Sequence, residues 1–319
     1  MQKYNYLNSV YYICKDAALK LYELYYNLNM TSMDSTNPIL PVHIYATGKR
    51  AGFFASLKAI VADFPEANAL GLRFAQRNIK ARYRKSALGI LWALLPALAT
   101  ASVWIFLNHS KVIQVQSTSD NYVLFAVTGT MLWTVFSGSV MQPINIVQEN
   151  TSILAKINFP REALLLTAFY EVLFNSLVSL LIIAMELLYF QVPVGLTTFL
   201  FLPLLILLIL MALCLGLIFL PVAVLFRDLQ FLVPLALQFA MYLTPVVYVL
   251  PEQGISGIFL KLNPVSPVLT MARDFLLGNS NTVSGNTILL ISVATISLLI
   301  IGLVLYRIAM EILIERMGS

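Results

Sequence analysis

Long, uninterrupted apolar runs separated by short polar segments make up most of the chain from residue 88 onward. Crossing a bilayer core of about 30 Å takes about 20 helical residues, and six runs reach that length. Because the runs are continuous rather than alternating, they predict helices, which satisfy their own backbone hydrogen bonds in lipid. The predicted spans are residues 88–107, 122–142, 163–188, 198–225, 229–250 and 287–306.

The composition supports an all-α membrane protein. The 319 residues are 59% hydrophobic and only 11% charged, with a mean hydropathy of +0.83. Soluble domains carry about 25% charged residues, and a soluble fold would leave much of this apolar surface in water. Residues 1–50 show no secretory signal and form an extension without assigned chemistry. We therefore divide the chain into this extension, a cytoplasmic interfacial segment (51–87), a six-helix domain (88–308) and a cytoplasmic tail (309–319).

The distribution of Lys and Arg predicts the orientation of the spans. Twelve of the 20 basic residues precede the first predicted span, and five more lie in connections on the same side. Only Lys111, Lys261 and Arg273 lie on the other side. Since cytoplasmic segments are enriched in Lys and Arg, both termini are expected in the cytoplasm.

Residues 72–86 combine this basic bias with helical periodicity. One helical stripe is basic, and the opposite side carries Leu72, Ala75, Ile79 and Tyr83, which we expect to face lipid. This predicts an interfacial amphipathic helix. Its cations either anchor the helix and set topology or bind an anionic substrate head group; nucleic-acid binding is disfavoured because no recognised fold accompanies them. The candidate head-group residues are Arg73, Arg77, Lys80, Arg82 and Arg84.

The connection between the second and third spans contains a short helical pattern from Val147 to Ile157, which Pro160 separates from the next span. An exposed short helix with both charged and apolar side chains suits docking to a soluble partner, whereas the alternative is a solvated linker. The candidate docking residues are Gln148, Glu149, Asn150, Ile153, Leu154 and Lys156.

The connection on the opposite side predicts a helix too short to cross the membrane. Ser266 suits its N-cap, Pro267 its first turn and Gly278 its C-terminal stop. Its apolar face is expected to lie in the outer leaflet, and "IFLKL" predicts a second short helix before it. Such paired short helices either narrow the exit of a pathway or tether loops to the membrane. The apolar face consists of Leu269, Ala272 and Leu276.

Few ionisable groups lie within the spans. Glu171 is expected to be either protonated or paired with a basic residue of the inner collar, because an unpaired carboxylate deep in a bilayer costs about 2.5–3.5 kcal/mol. Glu186 lies close enough to the outer end to reach water, and Arg227 and Asp228 suggest a structural ion pair.

Motifs for enzymatic chemistry are absent from the sequence. It contains no GxxxxGK[ST] phosphate loop, GxSxG elbow or HExxH zinc motif. Two histidines and two cysteines in unrelated segments predict no metal site. We therefore expect a transport subunit rather than an enzyme, with any energy for uphill movement supplied by another protein.

Three separated segments resemble the permease subunits of ABC-type polysaccharide exporters. They are "RNIKARYRKSALGILWALLPAL", "INFPREALLL", and "LFRDLQFLVPLALQFAMYLTPVVY" followed by "LNPVSPVLTMARDFLLG". The resemblance implies a homodimer of six-span subunits that binds two copies of a separate ATP-binding subunit, which holds ATP and Mg²⁺. It implies a location in the plasma (inner) membrane of a bacterium and, as cargo, a polysaccharide on an undecaprenyl diphosphate carrier, of O-antigen, capsule or teichoic acid type.

The resemblance also implies roles for the segments above. Residues 148–157 correspond to the ATPase-coupling helix, 72–86 to the helix bordering a lateral lipid entrance, and 255–278 to outer gate helices. Two rival hypotheses stay open: export of a small amphiphile or drug, and an enzyme acting on lipid-linked sugars. The implied gate residues are Asn263, Pro264, Pro267, Arg273 and Asp274, and candidate sugar-stacking aromatics are Trp104, Trp133, Phe136, Tyr242 and Tyr248.

Overall fold

A computed structural model describes residues 53–84, 91–110, 122–154, 159–193, 195–226, 228–248, 263–278 and 283–317. The residues in these ranges form helices and connecting turns, with no strand among them. The extension 1–50, the predicted "IFLKL" helix, Lys156 and Arg227 lie outside the described residues. The predicted Arg227–Asp228 ion pair therefore stays a prediction.

The fold is a bundle of long apolar helices with shorter helices at its two ends. In chain order the helices are α1 (Phe53–Tyr83), α2 (Leu91–His109), α3 (Tyr122–Glu149), α4 (Thr151–Leu154), α5 (Glu162–Tyr189), a 3₁₀ helix (Leu196–Leu200), α6 (Phe201–Leu225), α7 (Leu229–Tyr242), α8 (Val265–Leu277) and α9 (Gly285–Met317).

Four of the six predicted spans have the length and apolar composition of a membrane crossing. They are Tyr122–Glu149, Glu162–Tyr189, Thr198–Leu225 and Gly285–Met310. The apolar parts of α2 and α7 are shorter, so the six-span count stays a prediction. The predicted fifth span was wrong at its end: α7 stops at Tyr242 rather than residue 250, because the following turn contains Pro245. A proline disfavours helical geometry at the residue before it.

α3 is the central helix. It packs against α5 and α6 and is buried on nearly every side, whereas α5 and α9 leave wide apolar faces exposed. At one end of the bundle α1 lies against α5, and α9 packs on α6. We call this the basic end; the end that carries α8 and the turn after α7 is the opposite end.

α1 differs from the predicted interfacial helix in length and in orientation. It begins at Phe53, well before residue 72, and it continues through Pro65. Ala67, Gly71 and Ala75 are buried on its inner face, so the expectation that Ala75 faces lipid was wrong. A Cβ at Gly71 would lie 2.9 Å from the Ala163 carbonyl of α5. Small residues let two helix backbones approach closely, which explains this packing.

α8 begins earlier than predicted. Its first residue is Val265, whose backbone N–H donates to Asn263 Oδ1 at 3.0 Å, so the prediction of Ser266 as N-cap was wrong. Pro267 is tolerated because the first-turn N–H groups have no intrahelical partner. Gly278 is confirmed as the C-terminal stop, with a left-handed φ of 69°. The predicted apolar face packs inside the protein rather than into lipid; Leu269, Ala272 and Leu276 are all buried.

The connection between α3 and α5 also departs from the prediction. Gln148 and Glu149 form the last turn of α3, and the separate helix α4 has only four residues. Asn150 marks the break, and its Nδ2 donates to the Ile146 carbonyl at 2.7 Å. An amide side chain bonded to local backbone competes with continuation of the helix.

Candidate functional site

A buried carboxylate organises the basic end. Glu171 of α5 is 1% exposed, and its Oε1 accepts a hydrogen bond from Asn78 Nδ2 at 2.9 Å. Its Oε2 accepts from Arg82 Nη2 at 2.9 Å and from Gln142 Nε2 at 2.8 Å. The four side chains, which we call the Glu171 cluster, join α1, α3 and α5. Of the two alternatives considered for Glu171, the structure supports pairing with a basic residue of the collar.

A second ion-pair group joins α9 to α1 and α5. The Arg307 guanidinium contacts Glu162 Oε1 at 2.6 Å and Asp63 Oδ2 at 2.9 Å. Next to it the Tyr306 hydroxyl donates to the Arg161 carbonyl at 2.8 Å. Glu162 is buried, whereas Arg307 and Asp63 are half-buried, so these ion pairs link three helices near the surface of the basic end.

The predicted docking residues divide into exposed and buried groups. Glu149 is exposed and Ile153 is half-buried, so both present atoms at the surface of the basic end. Asn150 and Leu154 are buried, and Leu154 packs into the apolar core of that end. Gln148 Nε2 donates to the Ala223 carbonyl of α6 at 3.0 Å. Leu154 therefore tethers α4 to the bundle.

The predicted head-group residues fall into two environments: four lie exposed along α1, and one forms an ion pair with Glu171. Arg73, Arg77, Lys80 and Arg84 are exposed along α1. Arg77 lies over the Phe74 ring at 4.8 Å and reaches Asn150 Oδ1 at 3.4 Å. Arg82 has a different environment from the others, because its guanidinium is committed to Glu171.

At the opposite end, Arg273 fastens α8 to its neighbours. It is 2% exposed, lies 3.5 Å from the centre of the Phe125 ring and donates from Nη1 to the Pro245 and Val246 carbonyls at 3.1 Å each. Burial lowers the pKa of the Arg273 guanidinium to about 10, so it remains charged at neutral pH. Asn263 Nδ2 donates to Thr244 Oγ1 at 2.9 Å, which adds a second link to the same turn.

The other predicted gate residues lie on the same helix. Pro264 is the N-cap of α8 and Pro267 lies in its first turn. Asp274, the neighbour of Arg273, is 6% exposed. The gate residues that the structure describes are thus collected on or next to one helix that packs against α3 and α6.

The candidate sugar-stacking aromatics occupy three environments. Trp133 and Phe136 of α3 are buried together in the core of the bundle, with ring centres 5.2 Å apart. Trp104 packs on Tyr122 at 6.1 Å. Tyr242 is exposed, and the Tyr248 hydroxyl donates to its carbonyl at 2.9 Å. Within this subunit, Tyr242 is the member with the most freely presented ring.

Sequence reasoning missed the amide partners of Glu171. Asn78 and Gln142 are single polar residues without a motif around them, and their pairing depends on how three helices pack. The sequence did contain a signal that the Glu171 face of α5 is polar, although it does not identify these partners. Glu171, Asn175 and Ser179 are spaced four residues apart, which places them on one face of the helix. Among the described residues, no group of His, Cys, Asp or Glu is arranged to hold a metal ion.

Comparison with known proteins places this geometry in context. The sequence model of the ABC-2 type transporter family matches residues 72–277. An O-antigen export system permease protein RfbA from Myxococcus xanthus is 28% identical over 215 residues, covering 66% of this chain and 81% of that protein. A protein of the same name from Klebsiella pneumoniae is 26% identical over 235 residues, covering 72% and 88%. The family match begins in the basic half of α1 and ends with α8, so it includes the Glu171 cluster and Arg273.

Proposed function

The chain belongs to the ABC-2 type transporter family, and we propose that it is the membrane subunit of an ATP-driven exporter that carries a lipid-linked polysaccharide across the inner membrane. The observation that carries this proposal is the similarity to O-antigen export permeases over more than four fifths of their length. In the part of the chain that the structure describes, four helices are long and apolar enough to cross a membrane, which supports a permease. The carrier lipid is undecaprenyl diphosphate, and the glycan is of O-antigen, capsule or teichoic acid type.

The assembly that we propose is a homodimer of six-span subunits with two copies of an ATP-binding subunit. ATP and Mg²⁺ belong to that partner, and both termini of this chain lie in the cytoplasm. The distribution of basic residues supports this orientation, because α1 and the start of α5 collect cations at one end. In this proposal α2 and α7 are the remaining two spans.

Deletion of the gene for this chain tests the function. Cells that lack it should lose the surface polysaccharide and accumulate the lipid-linked form on the inner side, and the intact gene on a plasmid should restore export. Unchanged surface polysaccharide would contradict the proposal. Loss of the surface polymer without an accumulated lipid-linked precursor would instead favour an enzyme acting on lipid-linked sugars.

α4 and the end of α3 are the proposed contact for the ATP-binding subunit. Glu149 and Ile153 present the accessible surface, while Leu154 holds α4 against the core. Because Leu154 fixes α4 to the core, a movement of a soluble partner bound to α4 can be transmitted to α3. The contact that we propose therefore centres on Ile153 rather than on Leu154.

Replacing Ile153 by glutamate is expected to uncouple export from ATP hydrolysis. A charge at an apolar contact removes buried area and adds a desolvation cost, so export should fall by about tenfold or more, equivalent to at least ~1.4 kcal/mol of docking free energy. The amount of surface polysaccharide measures export, and the ATPase activity of the purified complex measures ATP hydrolysis. Thr151→Ser, a conservative change on the same short helix, is the control. Normal export by Ile153→Glu would exclude the docking role.

The exposed cations of α1 are the proposed contact for the phosphate groups of the lipid carrier. Arg73, Lys80 and Arg84 are exposed along α1. Arg82 is not part of this contact in our proposal, because its guanidinium already binds Glu171. The remaining cations attract anionic head groups at about 1 kcal/mol per residue near a membrane surface.

A further inference from the structure

A partly open cavity with a mixed polar and apolar lining lies between four helices near the Glu171 cluster. Its volume is about 240 Å³; the C-terminal turn of α1 and the helices α2, α3 and α5 line it, and Thr134 and Gly138 are exposed at its open side. The polar side chains of its lining include Thr134 and Ser139 of α3, Asn175 and Ser179 of α5, and Tyr83 of α1. A cavity of this composition is unusual within helices suited to crossing a membrane, where polar groups are costly unless they have a partner.

Some polar groups of the lining already form hydrogen bonds within the protein, and others remain available to a ligand. The Thr134 hydroxyl donates to the Thr130 carbonyl at 2.8 Å, and Ser139 donates to Val135 at 2.6 Å. These bonds consume the hydroxyl protons and leave the oxygen lone pairs available.

Ser179 differs from its neighbours. It is 6% exposed and, within the described part of the chain, its hydroxyl has no hydrogen-bond partner. The carboxamide of Asn175, one turn earlier, likewise has no partner among those residues. A serine in an apolar helix normally donates to the carbonyl four residues before it, as Ser176 does at 2.7 Å. Ser179 and Asn175 therefore offer uncommitted donors and acceptors to whatever occupies the cavity.

The chemistry of the lining selects a neutral, hydroxyl-bearing occupant. No charged side chain among the described residues contributes to it, so a phosphate or a metal ion would lack a counter-charge there. An acyl chain would leave Ser179 and Asn175 unpaired, at a cost of about 1–3 kcal/mol per group. Val135, Val172 and Pro96 provide apolar surface beside the polar groups. A pyranose ring has the same combination, since its C–H faces are apolar and its edges carry hydroxyls.

We infer that this cavity is a binding site for one sugar unit of the exported glycan. The inference rests on the proposed function and adds a site within α3 and α5 of a single subunit. Glu171, Asn175 and Ser179 are spaced four residues apart, so about 12 Å of α5 carries hydrogen-bonding groups on one face, leading from the basic end into the span. A sugar entering from the basic end finds partners along this path without crossing a purely apolar surface.

Filling the cavity from Gly138 provides the first test. Gly138 of α3 lines the cavity, and a Cβ there meets no atom within 4 Å, so a side chain at this position begins in open space. Gly138→Leu should reduce surface polysaccharide by about 3–10-fold, the effect expected for the loss of about one buried hydrogen bond or slightly more. Gly285→Leu, the same change at an open position of α9 outside the cavity, is the control and should export normally. Membrane levels and thermal stability should match wild type for both variants. Normal export by a stable Gly138→Leu would overturn the inference.

Protection of a thiol introduced at position 179 provides a direct measure of occupancy. Cys14 and Cys214 are the only cysteines, so a chain with both replaced by serine accepts a single new thiol. Ser179→Cys in membranes should react with N-ethylmaleimide several-fold more slowly when the cells make the lipid-linked glycan than when its synthesis is blocked. Ser297→Cys, on the exposed side of α9, should react equally in both membranes.

The outcomes separate this inference from the proposed function. Equal reaction rates of the Ser179→Cys variant with and without glycan would mean that the cavity holds water only, and would overturn the sugar site even if deletion of the gene abolishes export. If deletion leaves the surface polysaccharide intact, the proposed function fails as well, and any protection of the introduced thiol has another cause.

Discussion

Replacing Gly129 by alanine is expected to prevent stable folding of the opposite end, with a loss of about 1–3 kcal/mol or more of stability. A Cβ at this position of α3 would collide with the Val246 carbonyl of the turn that follows α7. Flexible side chains can move aside, but here the colliding atom belongs to the backbone. The collision therefore forces the turn away from α3.

The turn cannot shift without breaking several other contacts. The Tyr122 hydroxyl donates to the Val247 carbonyl at 3.0 Å, and Arg273 holds the Pro245 and Val246 carbonyls while it stacks on Phe125. Moving Val246 outward would separate the buried Arg273 guanidinium from both of its hydrogen-bond acceptors. Removing one partner of such a charge costs several kcal/mol, which is why the expected effect is large.

Gly138→Ala is the matched control on the same helix. Because space is open at Gly138, alanine should leave the melting temperature unchanged or raise it slightly, as expected for replacing glycine within a helix. Thermal unfolding of both variants in detergent, with the amount of protein in the membrane, measures the difference. Equal stability of Gly129→Ala and Gly138→Ala would show that α3 and the turn do not approach as closely as described.

Replacing Glu171 by alanine is expected to be the most damaging single change at the basic end. The substitution removes the acceptor of three donors at once: the Nδ2 of half-buried Asn78 and the Nε2 of buried Gln142 lose their acceptor, and Arg82 loses its counter-charge. Breaking a buried ion pair costs about 3–5 kcal/mol, and the 43% exposure of Arg82 moves the expected loss to the lower part of that range or below it.

Arginine variants separate the ion pair from general surface charge. Arg82→Ala should lower the melting temperature, though less than Glu171→Ala, because Glu171 keeps its two amide donors. Arg84→Ala removes an exposed charge two residues away and should leave stability nearly unchanged. Indistinguishable melting temperatures for Glu171→Ala and Arg84→Ala would contradict the described cluster.

The sequence predicted the long helices well, because their signal is local. The predicted spans 122–142, 163–188 and 198–225 each lie within one helical segment that the structure describes, and the start at residue 122 agrees. Gly278 also ended its helix as predicted, since a left-handed residue favours glycine regardless of its surroundings.

The faces of the helices could not be predicted in the same way. Hydropathy distinguishes lipid-compatible from polar residues, but it does not distinguish lipid from protein interior. Ala75 on α1 and the apolar face of α8 were therefore assigned to lipid, although the structure buries them against other helices. Likewise, Glu171 could be recognised as needing a partner, whereas Asn78 and Gln142 became visible only when three helices were packed together.

In the proposed exporter α4 lies on the cytoplasmic side of the membrane, where an ATP-hydrolysing subunit binds it. The most direct test places a single cysteine at Ile153 in a chain without Cys14 and Cys214 and treats intact spheroplasts and inside-out membrane vesicles with a membrane-impermeant maleimide. We expect labelling of the vesicles alone, and slower labelling when the ATP-binding subunit is present. Labelling of intact spheroplasts would contradict this expectation, because no partner that hydrolyses cytoplasmic ATP could then reach α4.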